Sequence, residues 1–296
     1  MVDAKTPDML PAMAAKPSIA IVGPGRLGSA LAVALRRALY EISGIVSPKN
    51  AASKRKAATL ARKVRARVSV ADDACLKADV IWFCVPDREI KNAAQQLAVA
   101  IDWKGKIAFH SSGALLSDEL NILRERGAAV GSIHPMMTFV TGAIPSLKGV
   151  PFAMEGDVAA IRAARRIARD LGGEAFTISK QHKTAYHAWG SFASPLLVAL
   201  FVTAEQVARA AGLSAHQARR KMLPIVSQTI ANYRTLGPAA AFSGPIVRGD
   251  AEIVRKHLQM LRTIPEARKA YLALSQAAMR HLPARNRAQL KSALEG

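Results

Sequence analysis

Cysteine is nearly missing: Cys75 and Cys84 are the only two in 296 residues. That excludes a disulfide-stapled fold and fits a reducing compartment, so the chain is expected to be cytoplasmic. Aromatics are scarce, at 5% of the residues, and acids number 21 against 42 lysines and arginines. A net charge of +21 raises the question of nucleic acid as a partner. Such binding needs cations gathered on a face, preferably with aromatics to stack on bases. The densest basic segment, Lys49 to Arg67, holds eight Lys or Arg, no acid and no aromatic. Elsewhere the cations are scattered over helical patterns such as Arg162-Arg165-Arg166-Arg169. A basic, solvated surface is the simpler account, and nucleic acid is not expected as a partner. Long apolar runs are lacking too. The longest uncharged one, Ala188 to Ala204, contains Ser191, Ser194 and Pro195 and falls short of a comfortable span. It reads as a buried helix, with no membrane involved. Residues 1–16 hold two Asp, two Pro and no apolar core, and read as a disordered lead, not a signal peptide.

What is present begins at Ser18. Ile19-Ala20-Ile21-Val22 reads as a buried strand, Gly23-Pro24-Gly25-Arg26-Leu27-Gly28 as a glycine turn, and Ser29 onward as a helix. GxGxxG alone is common, but strand, turn and helix are the context a dinucleotide site demands. Gly23 suits the tight turn, Gly25 lets a pyrophosphate approach the backbone, and Gly28 lets helix and strand pack closely. The N–H groups of Arg26, Leu27 and Gly28 at the helix start then face the phosphates.

After the turn, strand and helix signals alternate, which argues for a parallel sheet with crossover helices. Strands are expected at 19–22, 42–46, 67–70, 80–85, 106–110, 129–133, 151–154 and 174–178. The fold class is therefore α/β: a doubly wound Rossmann domain over residues 17–179, followed by an all-α domain over 180–296. The second strand ends Val46-Ser47-Pro48-Lys49, with Lys54 and Arg55 following. An NAD site usually places a carboxylate there. A hydroxyl and three cations suit a 2′-phosphate instead, so NADP(H) is favoured over NAD(H).

Ligands of such sheets sit outside the carboxyl ends of the strands. The fourth strand runs into Val85-Pro86-Asp87, placing Val85 and Pro86 beside the dinucleotide. Asp87 is open between ribose binding and helix capping. The fifth strand ends His110-Ser111-Ser112-Gly113, and the sixth Ile133-His134-Pro135. Ser111, Ser112 and His134 are candidates for binding a small-molecule substrate, although a strand-end histidine is often structural.

From Gln181 helical patterns take over, at 182–211, 215–235, 250–261, 265–279 and 284–294. Pro195 and Pro224 are expected to kink their helices. Lys183, His187, Ser191 and Ser194 recur along one face of the first, beside an apolar flank of Tyr186, Trp189 and Phe192. Burial lowers a lysine pKa toward neutrality, as an acid/base group requires. A surface helix with a solvated lysine is the alternative. Arg248, in Gly244-Pro245-Ile246-Val247-Arg248-Gly249-Asp250, is a candidate for an anionic substrate group.

The order GPGRLG, VPD, HSSGA, HPMMTF, KxxYH, FAS and GPIVRGD resembles the Rossmann-like oxidoreductases known as domain of unknown function 2520. That family is similar to the 6-phosphogluconate and β-hydroxyacid dehydrogenases. The resemblance implies an NADP-binding domain, a helical domain, and pairing as a homodimer through the helical domain. In the β-hydroxyacid dehydrogenases a catalytic lysine and an Asn stand at i and i+4; Lys183 and His187 match that spacing. Their Ser-Gly-Gly substrate turn is similar to Ser112-Gly113-Ala114. Pro195 stands where an Asn is usual, and Met136-Met137 where a Leu-Gln pair is usual. The resulting expectation is hydride transfer between NADP(H) and a small carbonyl, imine or hydroxy acid, with Lys183 and His187 catalytic and Ser191 binding substrate. A non-catalytic NADP(H)-binding sensor and a deazaflavin cofactor are the alternatives.

Overall fold

The computed structural model describes residues 15–47, 51–69 and 77–296. Most of the expected lead, together with Pro48, Lys49, Val70 and Cys75, lies outside the described residues. The chain forms two compact units, residues 1–190 and 191–296.

The first unit is built on one eight-stranded sheet. In chain order its elements are β1 (Ile19–Val22), α1 (Arg26–Arg37), β2 (Ile42–Val46), α2 (Ala51–Val64), β3 (Arg67–Ser69), β4 (Val80–Phe83), α3 (Asp87–Ala98) and β5 (Ile107–His110). A 3-10 turn at Ser117–Leu120 leads to α4 (Asn121–Arg124), β6 (Ala129–Pro135), β7 (Pro151–Gly156), α5 (Val158–Asp170) and β8 (Glu174–Thr177). The spatial order is β3-β2-β1-β4-β5-β6-β7-β8.

Every residue of β1 and β4 is buried, as both faces of a central parallel sheet must be. Alternate side chains go to opposite layers. Ile19, Ile21, Val80 and Trp82 join the core under α1, α2 and α5, whereas Ala20, Val22, Ile81 and Phe83 pack with α3. One expectation is corrected. β7 runs antiparallel to β6 rather than parallel. The segment 136–150 holds no crossover helix, so the chain returns along the same sheet edge it left.

α6 (Lys183–Ala193) follows a 3-10 turn at Lys180–His182 and crosses the division between the units. It stops at Ser194 (φ −132°, ψ −79°), and α7 (Pro195–Ala210) starts with proline at its first position, where the missing N–H costs nothing. The single helix expected over 182–211 is therefore two. The second unit continues with α8 (Ala215–Ala241), α9 (Pro245–Arg248), α10 (Ala251–Met260), α11 (Pro265–His281) and α12 (Arg287–Glu295). Ser214 and Gln217 form a reciprocal capping box at the start of α8. Pro224 does not interrupt α8, whose non-helical residue is Gly237 (φ 76°). Val254, Leu258, Leu290, Ala293 and Leu294 form this unit's small core.

The run Ala188–Ala204 is not the buried helix its composition implied. Trp189, Phe192, Leu196, Val198 and Val202 are exposed, Phe192 by 71%. By length and composition the stretch Lys180–Ala210 is apolar enough to cross a membrane, and little of it is buried.

Candidate active site

The three glycines of the turn differ in what surrounds them. Gly23 has φ +104°, and a Cβ there would stand 2.8 Å from the carbonyl oxygen of Cys84. At Gly28 a Cβ would collide with the Gly23 carbonyl and crowd Cys84 and Ile21. Both positions are closed to any side chain. Gly25 is different, because its nearest protein neighbour would be 3.8 Å away. Space is kept there by the absence of a side chain, not taken up by the protein. Gly25 is also the N-cap of α1, and no side chain caps the helix. The first N–H groups, from Arg26 onward, therefore remain available to an anion.

Beside this turn lies a cleft of about 710 Å³, lined by Pro24, Gly25, Arg26, Arg55, Lys56 and Lys63 together with the segment 140–144. Four cations and no carboxylate line it. Among the described residues none of the four has an ion pair or side-chain hydrogen bond. Arg26 and Arg55 are thus brought together, whereas Lys54 does not line the cleft. Ser47 is buried, and its N–H donates to Ser69 O at 3.1 Å. No motif or periodicity marks the wall formed by residues 140–144.

Next along the sheet edge come the ends of β4, β5 and β6. Val85 approaches Gly23, and Pro86 is the exposed N-cap of α3. Asp87 makes no cap; its carboxylate accepts from Ser112 Oγ at 2.8 Å. The same oxygen of Ser112 accepts from the N–H groups of Ala114 and Leu115, which locks the turn. Ser111 is likewise engaged, its Oγ accepting from Trp82 Nε1 at 2.8 Å. Both serines are buried and act on the protein itself.

His134 is half-buried, and its Nδ1 lies 2.7 Å from the Tyr186 hydroxyl. Burial, then the nearby His187 and Lys183, hold its pKa down at about 4, while Asp87 opposes them. Burial pushes the Tyr186 phenol up to about 12. At neutral pH the pair is therefore an uncharged imidazole bonded to a protonated phenol. The His134 and His187 rings stand 6.3 Å apart and nearly perpendicular. Gly113 sits against both: a Cβ there would lie 2.7 Å from His187 Cδ2 and 3.0 Å from His134 Nε2. The absence of a side chain at Gly113 brings the two histidines to the end of β5.

Lys183 is enclosed, at 1% exposure. Its ammonium donates to Leu115 O and Ser132 Oγ and lies 3.4 Å from Glu155 Oε1. Glu155, equally buried, also accepts from Ser117 N at 2.6 Å and Ser117 Oγ at 2.8 Å. Three acceptors use all three ammonium protons. Burial pulls the Lys183 pKa down to about 8 against the pull of Glu155. His110 beside it is held near 3 by burial and by the Lys183 charge. Glu155 and Ser132 are not among the residues the sequence marks, and Tyr186 is marked there only as part of an apolar flank. A carboxylate inside the apolar strand Phe152-Ala153-Met154-Glu155 was the available signal. Ser191 falls one turn beyond His187, in the second unit. Arg248 is also in that unit, with its Nε 2.8 Å from Asp250 Oδ2.

The sheet order and the closed glycine turn define a Rossmann-like domain, and residues 4–135 match that family model. Residues 150–278 match the model described as domain of unknown function (DUF2520), and the chain joins the two. No curated protein matches the chain. Among solved structures it is similar to a candidate NADP oxidoreductase of Bacteroides fragilis, at 23% identity over 88% of this chain and 97% of that one (TM-score 0.72). A reductive aminase of Aspergillus terreus, solved with NADPH and ethyl-5-oxohexanoate, is 16% identical over 94% and 99% (TM-score 0.65). A pyrroline-5-carboxylate reductase of Coxiella burnetii is 14% identical over 89% and 98% (TM-score 0.59). These likenesses establish a shared fold.

Proposed function

We propose that the protein is an NADP(H)-dependent oxidoreductase acting on a small carbonyl, imine or hydroxy-acid substrate. The observation that carries the reading is the open Gly25 turn beside four unpaired cations, on the same sheet edge as His134 and His187. The uncapped start of α1 holds a pyrophosphate, and Arg26 and Arg55 favour a 2′-phosphate. A nicotinamide cofactor supplies the hydride when bound. His134 and His187 flank Gly113 and are the groups that reach a substrate there, with Tyr186 fixing the His134 ring. Lys183 has no free proton to offer in this arrangement and acts through its charge, which favours negative charge developing nearby.

Turnover of NADPH with a panel of ketones, keto acids and cyclic imines tests the activity. A His187→Ala variant is expected to lose at least about tenfold in kcat while keeping NADPH affinity. Tight NADPH binding without turnover on any of them favours the sensor reading. We also propose a homodimer formed through the exposed apolar residues at the end of α6 and along α7 and α8, where Phe192, Leu196, Val198 and Ile225 meet water in the single chain. Sedimentation at several concentrations checks it; a monomer throughout removes the dimer.

A further inference from the structure

The last three helices are poor in acids and rich in arginine. α10, α11 and α12 carry three carboxylates, Glu252, Glu266 and Glu295. Each is taken by a lysine of its own helix: Lys256 at 2.8 Å, Lys269 at 3.4 Å and Lys291 at 3.8 Å. Among the described residues Arg255, Arg262 and Arg268 form no ion pair and no side-chain hydrogen bond.

These three arginines line one cavity of about 320 Å³, together with Leu258, Ser292 and the last residue, Gly296, among others. Arg262 and Arg268 also border a second cavity of about 370 Å³ with Pro265, the first residue of α11. The Nε–H of Arg268 is buried and has no acceptor. A buried donor without a partner is rare in folded proteins, because it has lost water and gained nothing. Three guanidinium groups around one small space also repel one another unless an anion lies between them. A planar guanidinium fork matches the oxygens of a carboxylate or a phosphate, and three cations favour a dianion over a monoanion.

We propose that this cavity binds a small phosphate-bearing ligand, with Arg255, Arg262 and Arg268 as its oxyanion partners. Its volume is at the lower end for small-molecule sites, roughly 300–1,000 Å³. The occupant is inorganic phosphate or a compact phosphate monoester, not a dinucleotide. No residue of the glycine turn or the cleft beside it takes part, so the site does not depend on the function proposed above.

Calorimetric titration of the full-length protein with inorganic phosphate, at constant ionic strength, tests the site. Wild type is expected to bind, and Arg262→Gln and Arg268→Lys each to weaken binding by about tenfold or more. The double variant Arg26→Gln/Arg55→Gln is expected to leave this binding in place. Arg262 is exposed, so its variant keeps the test valid if an Arg268 variant fails to fold. Absence of binding in wild type overturns the proposal. So does binding that survives both arginine changes, or a loss that follows Arg26 and Arg55 instead.

Discussion

The two units use apolar residues in opposite ways. In the first, β1 and β4 are buried along their whole length, and the buried ammonium of Lys183 is enclosed with its counter-charge Glu155. In the second, α7 and α8 turn Leu196, Val198, Leu223, Ile225 and Ile230 outward, while the core is five small or aliphatic residues. The same hydrophobic composition thus closes a sheet in one unit and leaves a face to be covered in the other. Burial in the first unit is set by strands whose backbone partners lie in the same chain. α7 packs against α8 and α11, and Glu205 is buried there with Arg219, but its apolar residues Leu196, Val198 and Val202 face out.

The largest expected effect is in the first unit. Glu155→Gln leaves Lys183 as a buried charge without its counter-ion, and denaturant unfolding is expected to show a loss of about 3–5 kcal/mol. A loss well under 1 kcal/mol breaks the view that the pair organises this core. Gly28→Val forces a side chain against the Gly23 carbonyl and Cys84. It is expected to cost about 1–3 kcal/mol, by the same unfolding measurement, and to remove dinucleotide binding.

Acid is expected to act on the same unit. His110 and His134 stay neutral in the folded chain down to about 3 and 4. The unfolded chain takes up those protons near the usual histidine pKa of about 6.5. Stability is therefore present above that pH and declines as pH falls from about 6.5 towards 4. Lys183 gives a second limb: held at about 8 when folded, it favours the folded state increasingly as pH rises from there towards about 10.5. Melting temperatures across that range check both limbs, and a flat profile between pH 6.5 and 4 breaks the histidine assignment.

The smallest effect on the folded chain itself falls in the second unit. Phe192→Ser removes an exposed ring and is expected to change chain stability by no more than about 0.5 kcal/mol. It should nonetheless shift sedimentation from dimer to monomer. A large stability loss without a change in mass means the face is packed within the chain.

Much of the first unit was legible from local pattern. β1 and β2 coincide with the expected spans because short β-branched runs closed by Gly and Ser leave little choice. The turn at Gly23 was legible because its backbone requirement is local. Lys183, His187 and His134 were singled out from spacing and strand ends. What each touches was not legible. The Glu155 partner of Lys183 lies on β7, and only the antiparallel register of β6 with β7 places Ser132 opposite Glu155. Tyr186 was read as part of an apolar flank; it is buried and bonded to His134, whereas Trp189 and Phe192 of the same flank face out. Periodicity marks the faces of a helix, but not which of them the rest of the chain covers.

The central claim is that the open Gly25 turn and the cations beside it form an NADP(H) site. Calorimetric titration of the wild-type chain with NADPH and with NADH, in one buffer and at one ionic strength, tests it most directly. The account predicts that NADPH binds about tenfold or more tighter than NADH, a difference of about 1.4 kcal/mol. Equal affinities, or binding of neither, contradict it.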